Sequence, residues 1–265
     1  MRIVCLIKFV PDVEEFKYDH ANQALVRENS TQILNPDDAC ALAFALLIKR
    51  GHPETVIEVV TMAPGTVKGQ LEDLLRRNLD TATLLSDTSF AGSDTLATAG
   101  ILARYLQSVR YDVILTGTHS LDGDTSHVPS QVAEACGLAQ MSNIVAIDPA
   151  SFWKGEPEIE VDQDREILRY RIALPAILSL SKDSGYKLPY VAYADLEKDV
   201  ASQLRVLSNG ELGLDRGTVG LTGSRTRVKR TFTKTWPAKT KTLLKCDTQG
   251  IEIVFRYLEK NGLLP

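Results

Sequence analysis

Through its first 147 residues the chain alternates short β-type runs with helical patterns, and nothing else in it narrows the choice of fold so far. Arg2 to Lys8 is a run of apolar and β-branched residues, and Val56 to Met62, Ala82 to Leu85, Asp112 to Gly117 and Asn143 to Ile147 follow it at intervals. Runs of this kind predict strands buried on both faces. Between the first two, Asn35 reads as an N-cap, Pro36 takes the first helical position, and Asp37 and Asp38 lie near the positive end of the helix dipole. Ala39, Leu42, Ala43, Leu46 and Leu47 then fall on one face, and Gly51 stops the helix. Val67, Leu71, Leu74 and Leu75 mark a second helix, and Ser93-Asp94 caps a third that carries Leu96, Ala99, Ala103 and Leu106. Val128, Val132, Ala133 and Cys136 mark a fourth, closed by Gly137. Such alternation needs crossover connections, so the expected fold is α/β, a doubly wound parallel sheet covered on both faces.

Beyond residue 150 the pattern changes. Glu158 to Val161 and Glu166 to Ile172 read as a small antiparallel extension joined through Asp162-Gln163-Asp164, and Pro175 to Leu180 as another buried strand. From about Lys182 the periodicity fades. Thr218 to Cys246 holds no acidic residue, yet Arg225, Arg227, Lys229, Arg230, Lys234, Lys239, Lys241 and Lys245 all occur there. A terminal helix built on Ile251, Val254, Phe255 and Leu258 ends the chain. So long a stretch without pattern is better read as an extended arm lying on another molecule than as a loop within a domain. The expected division is an α/β domain over 1–190 and a C-terminal arm with its helix over 191–265.

Several classes are disfavoured. Cys5, Cys40, Cys136 and Cys246 lack C-x-x-C or Cys/His spacing, so neither a zinc site nor a disulfide framework is expected, and reduced thiols fit a cytoplasmic protein. No apolar run approaches the ~20 residues that span a bilayer, and no secretory signal opens the chain. The basic segment with Phe232 and Trp236 could serve as a nucleic-acid arm. The net charge of −4 and the scarcity of aromatic residues there count against that use. There is no G-x-G-x-x-G after the first strand and no G-x-x-x-x-G-K-[ST].

In an open parallel sheet, ligands bind beyond the carboxyl ends of the strands. The richest polar loop there runs from Gly117 through Asp122, Gly123, Asp124, Thr125, Ser126 and His127 into the helix at Val128. Amides at that helix N-terminus favour a phosphate, Thr125 and Ser126 add hydroxyls, and Gly123 allows close approach. An ordinary capped loop is the competing reading. His119 and His127 beside Asp122 and Asp124 also leave an acid–base pair or a metal site conceivable, although the spacing matches no standard metal motif.

Seven segments, in order, resemble the beta subunit of electron transfer flavoproteins. Val4 to Asp12 is similar to the family's opening strand and K-x-V-P-D turn, and Asn35-Pro36-Asp37-Asp38 to its N-P-[FY]-D helix start. Thr61-Met62-Ala63-Pro64, Ser93 to Thr98, Asp112 to Val128, Leu174 to Leu178 and Gly223 to Val228 match further landmarks. The resemblance implies a Rossmann-like, adenine-nucleotide-binding domain and pairing with an alpha subunit that holds the electron-carrying FAD. It further implies AMP, or in the electron-bifurcating branch a second FAD, in this subunit. Carried over residue by residue, the nucleotide-binding positions are Leu6, Lys8, Asn35, Asp38, Met62, Thr116, Gly117 and the run Asp122, Gly123, Asp124, Thr125, Ser126, His127 and Val128. Acid–Gly–acid–Thr is closer to the bifurcating and nitrogen-fixation-associated branches, and the absent side chain at Gly123 favours FAD over AMP.

The departures matter as well. Asp37 replaces the aromatic that lies near the partner's flavin, where a carboxylate would disfavour a reduced, anionic isoalloxazine. His127 and Pro129 replace the usual Gln and Gly. Leu188, Pro189 and Tyr190, with Asp195, Glu197 and Asp199 after them, stand where the family has its lysine-rich recognition loop. The resemblance therefore implies partner contacts at Asp37, Leu188, Pro189, Tyr190, Arg225 and Arg227, with an acyl-CoA or other flavin dehydrogenase as client and NADH as a further ligand of the bifurcating type. A carrier subunit has no bond-breaking residues of its own. A stand-alone nucleotide-binding protein or an ATP-using ligase of the same fold is the alternative.

Overall fold

A computed structural model describes residues 1–12, 31–227 and 242–264, together with the backbone of 17–19 and 24–26. The chain opens with β1 (Arg2–Leu6), β2 (Phe9–Pro11), β3 (Lys17–Asp19), β4 (Ala24–Val26) and β5 (Gln32–Leu34), and continues through α1 (Pro36–Gly51) into β6 (Val56–Met62). Then come α2 (Lys68–Leu75), β7 (Thr81–Leu85), α3 (Thr95–Leu106), β8 (Val113–Gly117), α4 (His127–Cys136) and β9 (Ala139–Ile147). After α5 (Pro149–Trp153) follow β10 (Glu158–Asp162), β11 (Ile167–Arg171), β12 (Ala176–Leu180), β13 (Leu204–Leu207), α6 (Asn209–Leu212), α7 (Gly220–Gly223) and α8 (Thr248–Lys260).

Nine strands form one sheet in the order β11-β10-β9-β12-β8-β1-β6-β7-β13. Every pairing from β9 to β13 is parallel, and β10 alone runs against its two neighbours. The α/β class, the parallel sheet and the antiparallel extension thus follow the periodicity of the sequence. Two short antiparallel pairs, β2 with β5 and β3 with β4, lie between β1 and α1. Three-residue strands are too short to leave a readable period, so the sequence does not announce them.

Alternate side chains of β1 enter opposite cores, as the pleat requires. Ile3, Cys5 and Ile7 pack with Leu42, Phe44, Ile48, Leu71 and Leu75 of α1 and α2. Val4 and Leu6 pack on the other face with Ile101, Leu102, Tyr105 and Val132 of α3 and α4. Burial, and then the charge of Asp38, pushes the Cys5 thiol up, so it sits in the core as a neutral apolar group.

The described residues divide into two units, Met1–Val228 and Lys229–Pro265. Residues 191–227, grouped with the arm by the sequence reading, include β13, which extends the sheet beyond β7 in the register Leu204↔Ala82 to Leu207↔Leu85. Four strand residues between a 3-10 turn and the four-residue α6 explain why no period was visible there. In the second unit, Asp247 caps α8 by accepting from the Gly250 amide at 2.8 Å. The helix carries Ile251, Val254 and Phe255 exposed along one side. Residues 228–241, with Lys229, Arg230, Phe232, Lys234, Trp236, Lys239 and Lys241, lie outside the described residues. No helix among the described residues is long and apolar enough to cross a membrane.

Candidate functional site

From β1 the chain moves outward through β6 and β7, then returns to the other side of β1 at β8. The strand order therefore reverses between β1 and β8, whose carboxyl ends lie side by side through the register Leu6↔Thr116. Crevices of doubly wound sheets open at such a switch point.

The first turn of α1 stands at this crevice. Asn35 is not the side-chain cap that its position suggested, because it makes no capping bond. Its amide reaches instead into the loop after β8, where Nδ2 donates to the His119 carbonyl at 2.7 Å and Oδ1 accepts from the Leu121 amide at 3.2 Å. A longer-range pair of backbone groups outcompetes the local cap. Asp38 Oδ2 accepts from the Lys8 amide and Oδ1 from the Gly117 amide, both at 2.8 Å. Burial pushes its carboxyl up to about 7; hydrogen bonds from Gly117, Lys8 and Asn35 oppose that rise, and Asp37 adds to it.

Asp37, expected at the partner surface, is only 2% exposed and faces inward. Its Oδ1 accepts from the Lys182 amide at 2.9 Å, its Oδ2 accepts from the His119 amide at 3.2 Å, and His119 Nδ1 lies 3.0 Å from Oδ2. One helical turn thereby ties together the segments that follow β1, β8 and β12. Gly117 makes this possible, since a Cβ there would lie 2.4 Å from Asp38 Oδ1 and 2.6 Å from Asp37 Cβ. Its missing side chain admits the helix rather than a ligand.

The loop beyond is open. Residues 121–127 are all exposed. Lys8 Nζ donates to both oxygens of Asp122, at 2.8 and 2.7 Å, and so bridges the reversal point. Burial works to raise the Asp122 carboxyl, but the Lys8 ammonium, with Ser120 and the Gly123 amide, holds it below the ordinary value. A Cβ on Gly123 would meet only Ser120 Oγ, at 3.8 Å.

Asp124 and Ser126 have φ of 47° and 55°, the left-handed region that non-glycine residues seldom occupy. Such strain belongs more often to functional loops than to ordinary connections. Ser126 is the N-cap position of α4, yet its side chain makes no capping bond. The first-turn amides of His127 and Val128 have no intrahelical acceptor, and Pro129 has no N–H.

The structure gathers Lys8, Asn35, Asp38, Gly117, Asp122 and the Gly123–Val128 run at this mouth. Leu6 is buried at its floor, and Met62 ends β6 half-buried one strand further on. Thr116 is buried with its hydroxyl within 2.9 Å of Ser179 Oγ, so it belongs to the sheet rather than to the mouth. Two connections escaped the sequence reading, His119 with Asp37 and Lys8 with Asp122; partners 82 and 114 residues apart leave no local signal.

The remaining positions lie elsewhere in the first unit. Leu188 is half-buried against the core, and the Pro189 carbonyl accepts from Arg77. Tyr190 is 94% exposed. Arg225 and Arg227 are exposed beyond α7.

The family model described as "Electron transfer flavoprotein domain" matches residues 23–182. The chain is 31% identical over 246 residues to an electron transfer flavoprotein subunit beta of Clostridium acetobutylicum, covering 88% of each chain. It is 33% identical over 240 residues to subunit CarD of a caffeyl-CoA reductase-Etf complex of Acetobacterium woodii, covering 90% of this chain and 89% of that one. It is also 30% identical over 250 residues to protein FixA of Azorhizobium caulinodans, covering 92% and 88%. A model spanning more than half of the chain, and relatives aligned along most of it, make this protein a member of the electron transfer flavoprotein family, of the beta-subunit type.

Proposed function

We propose that this subunit holds an adenine nucleotide at the mouth between β1 and β8, and that it carries electrons only together with an alpha subunit that binds flavin. The observation that carries the reading is the N-terminus of α4 without a side-chain cap, its first-turn amides lacking intrahelical acceptors, beside a strained, exposed loop at the point of strand reversal. Such amides suit a phosphate. FAD is the favoured occupant over AMP because the space beside Gly123 is open. A carrier of this kind positions a cofactor rather than breaking bonds itself.

The alpha subunit is placed on the second unit, where α8 presents Ile251, Val254 and Phe255 to solvent beside a strongly basic sequence. A flavin dehydrogenase, acyl-CoA-dependent or other, is assigned to the Leu188-Pro189-Tyr190 segment, where Tyr190 and Tyr193 are exposed and Asp195, Glu197 and Asp199 add negative charge. NADH is a further ligand if the pair bifurcates electrons, and the cytoplasm is the compartment that suits the reduced thiols. Flavin and adenylate content of the purified heterodimer tests the reading. Two FAD per pair are expected; one FAD with one AMP keeps the nucleotide site and changes its occupant. One FAD with no adenylate in this subunit would refute it.

A further inference from the structure

We propose that His119, positioned by Asp37, is the side chain that reads the phosphate of a nucleotide bound at this mouth, donating from Nε2 in its protonated form. The inference rests on the nucleotide reading above and goes further by naming the group that sets its preference for an anion.

His119 is gripped on three sides by the first turn of α1. Its amide and Nδ1 meet Asp37 Oδ2, at 3.2 and 3.0 Å, and its carbonyl accepts from Asn35 at 2.7 Å. A carboxylate on Nδ1 sets both the tautomer and the direction of the ring. The ring is 30% exposed, and its Nε2 is directed toward the exposed Asp124. The nearest acidic oxygen to Nε2 is Asp124 Oδ1 at 3.9 Å, too long for a hydrogen bond.

Asp124 is 77% exposed and lies in the strained loop just ahead of α4, so its carboxylate already stands where an anionic oxygen of a ligand can come. The other cation of the mouth, Lys8, is closed off by its two-oxygen contact with Asp122. The imidazole edge is thus a cationic side-chain donor open to a ligand, beside the exposed hydroxyls of Thr125 and Ser126. A buried carboxylate holding a partly exposed imidazole by its inner nitrogen is the arrangement that preorganises the outer one. The ionisable groups on the elements packed around the ring are Asp37 and Asp38 from α1, Asp122, Asp124 and His127 from its own loop, Lys8 after β1, and Lys182 and Asp183 after β12.

The test is calorimetric titration of the full-length chain with AMP and, separately, with adenosine, at pH values from about 5.5 to about 8.5. Wild type, His119→Gln and Asp37→Asn are compared. AMP loses its own second proton near pH 6, about the same range, so each variant's profile carries that common effect and the difference between profiles isolates the imidazole. Wild type is expected to bind AMP about tenfold more tightly than His119→Gln at the acid end, the scale of one charge-assisted hydrogen bond, and the two are expected to converge at the alkaline end. Adenosine should not distinguish them at any pH. Asp37→Asn, which keeps the ring but weakens its hold, should fall between.

Parallel AMP profiles for wild type and His119→Gln would overturn the assignment while leaving nucleotide binding intact, as would an equal pH-dependent gap with adenosine. A wild type that binds no AMP at any pH overturns the assignment, and one that also fails to bind FAD in a parallel titration overturns the nucleotide reading with it. His119→Gln keeps a side-chain amide that can still donate to Asp37, and its unfolding midpoint is measured beside wild type, so the comparison stands even if Asp37→Asn is unstable.

Discussion

Among single residues, Gly117 and Asp38 meet closely at the mouth, and each supports a prediction. Gly117→Ala places a methyl group 2.4 Å from Asp38 Oδ1 and 2.7 Å from the Asp38 amide. Backbone and a buried carboxylate cannot yield cheaply, so a loss of about 1–3 kcal/mol is expected, read as a lower urea midpoint at unchanged slope. An unchanged midpoint would mean that α1 does not approach β8 as described. Asp38 predicts a pH dependence. Its folded value, about 7, lies above that of an unfolded aspartate, so folding takes up a proton between the two. The resulting stabilisation is complete below about pH 4 and disappears as the pH rises to about 7. The stability difference between wild type and Asp38→Asn should therefore decline across that window, by at most about 1.4 kcal/mol per pH unit. A flat difference would contradict it. The helix start at Asn35-Pro36-Asp37-Asp38 was legible because Pro at a first position and acids in a first turn act locally. Their partners were not, since Gly117 lies 79 residues from Asp38 and Lys182 lies 145 from Asp37.

The same limit holds for α3. Asp94 was readable as its cap, and Oδ1 does accept from the Ala97 amide at 3.0 Å. Its other oxygen accepts from the amides of Arg225 and Thr226, each at 2.8 Å, and from the Thr226 hydroxyl at 3.0 Å. The buried Ser224 completes the clasp by accepting from the Asp94 amide at 2.8 Å and donating to the Gly92 carbonyl at 3.0 Å. One helix cap thus also anchors the stretch from which the basic segment departs. Burial tends to raise the Asp94 carboxyl, but the bonds from Ala97, Thr226 and Arg225 hold it below its ordinary value. This contribution is therefore present above the unfolded value and lost as the pH falls through the folded one, opposite in sign to that of Asp38. Asp94→Ala should cost about 1–2 kcal/mol for the cap and free the segment beyond Ser224. Faster trypsin cleavage after Arg225 and Arg227 is the expected readout, and cleavage at the wild-type rate would separate the cap from the anchor. Elements such as β6 and α1 could be placed from sequence because the apolar run of one and the helical period of the other extend over 7 and 16 residues. β2, β5 and β13 span three or four residues and exist because a neighbouring strand offers them pairing, which no local pattern encodes.

At the scale of the molecule, the doubly wound architecture was legible because repeated strand–helix alternation admits few other packings. What the chain does with its second unit is a matter of assembly, and there the physical signal is exposure. Along α8, Ile251, Val254 and Phe255 lie about a turn apart on one side and are 64%, 45% and 52% exposed, while Glu252 and Arg256 pair at 2.8 Å on another. A helix that leaves its apolar side in water gains little from it in the isolated chain, so a charge placed there should cost little in folding. If the alpha subunit covers this side, the same charge must be desolvated against an apolar surface. Phe255→Asp should then leave the unfolding transition of the isolated chain unchanged and weaken association with the alpha subunit at least about 30-fold, the scale of an aromatic anchor at an interface centre. Co-purification and a titration of the two subunits measure this directly. Undiminished association would place the interface away from α8, and a lowered unfolding midpoint would show that the helix packs on its own chain instead.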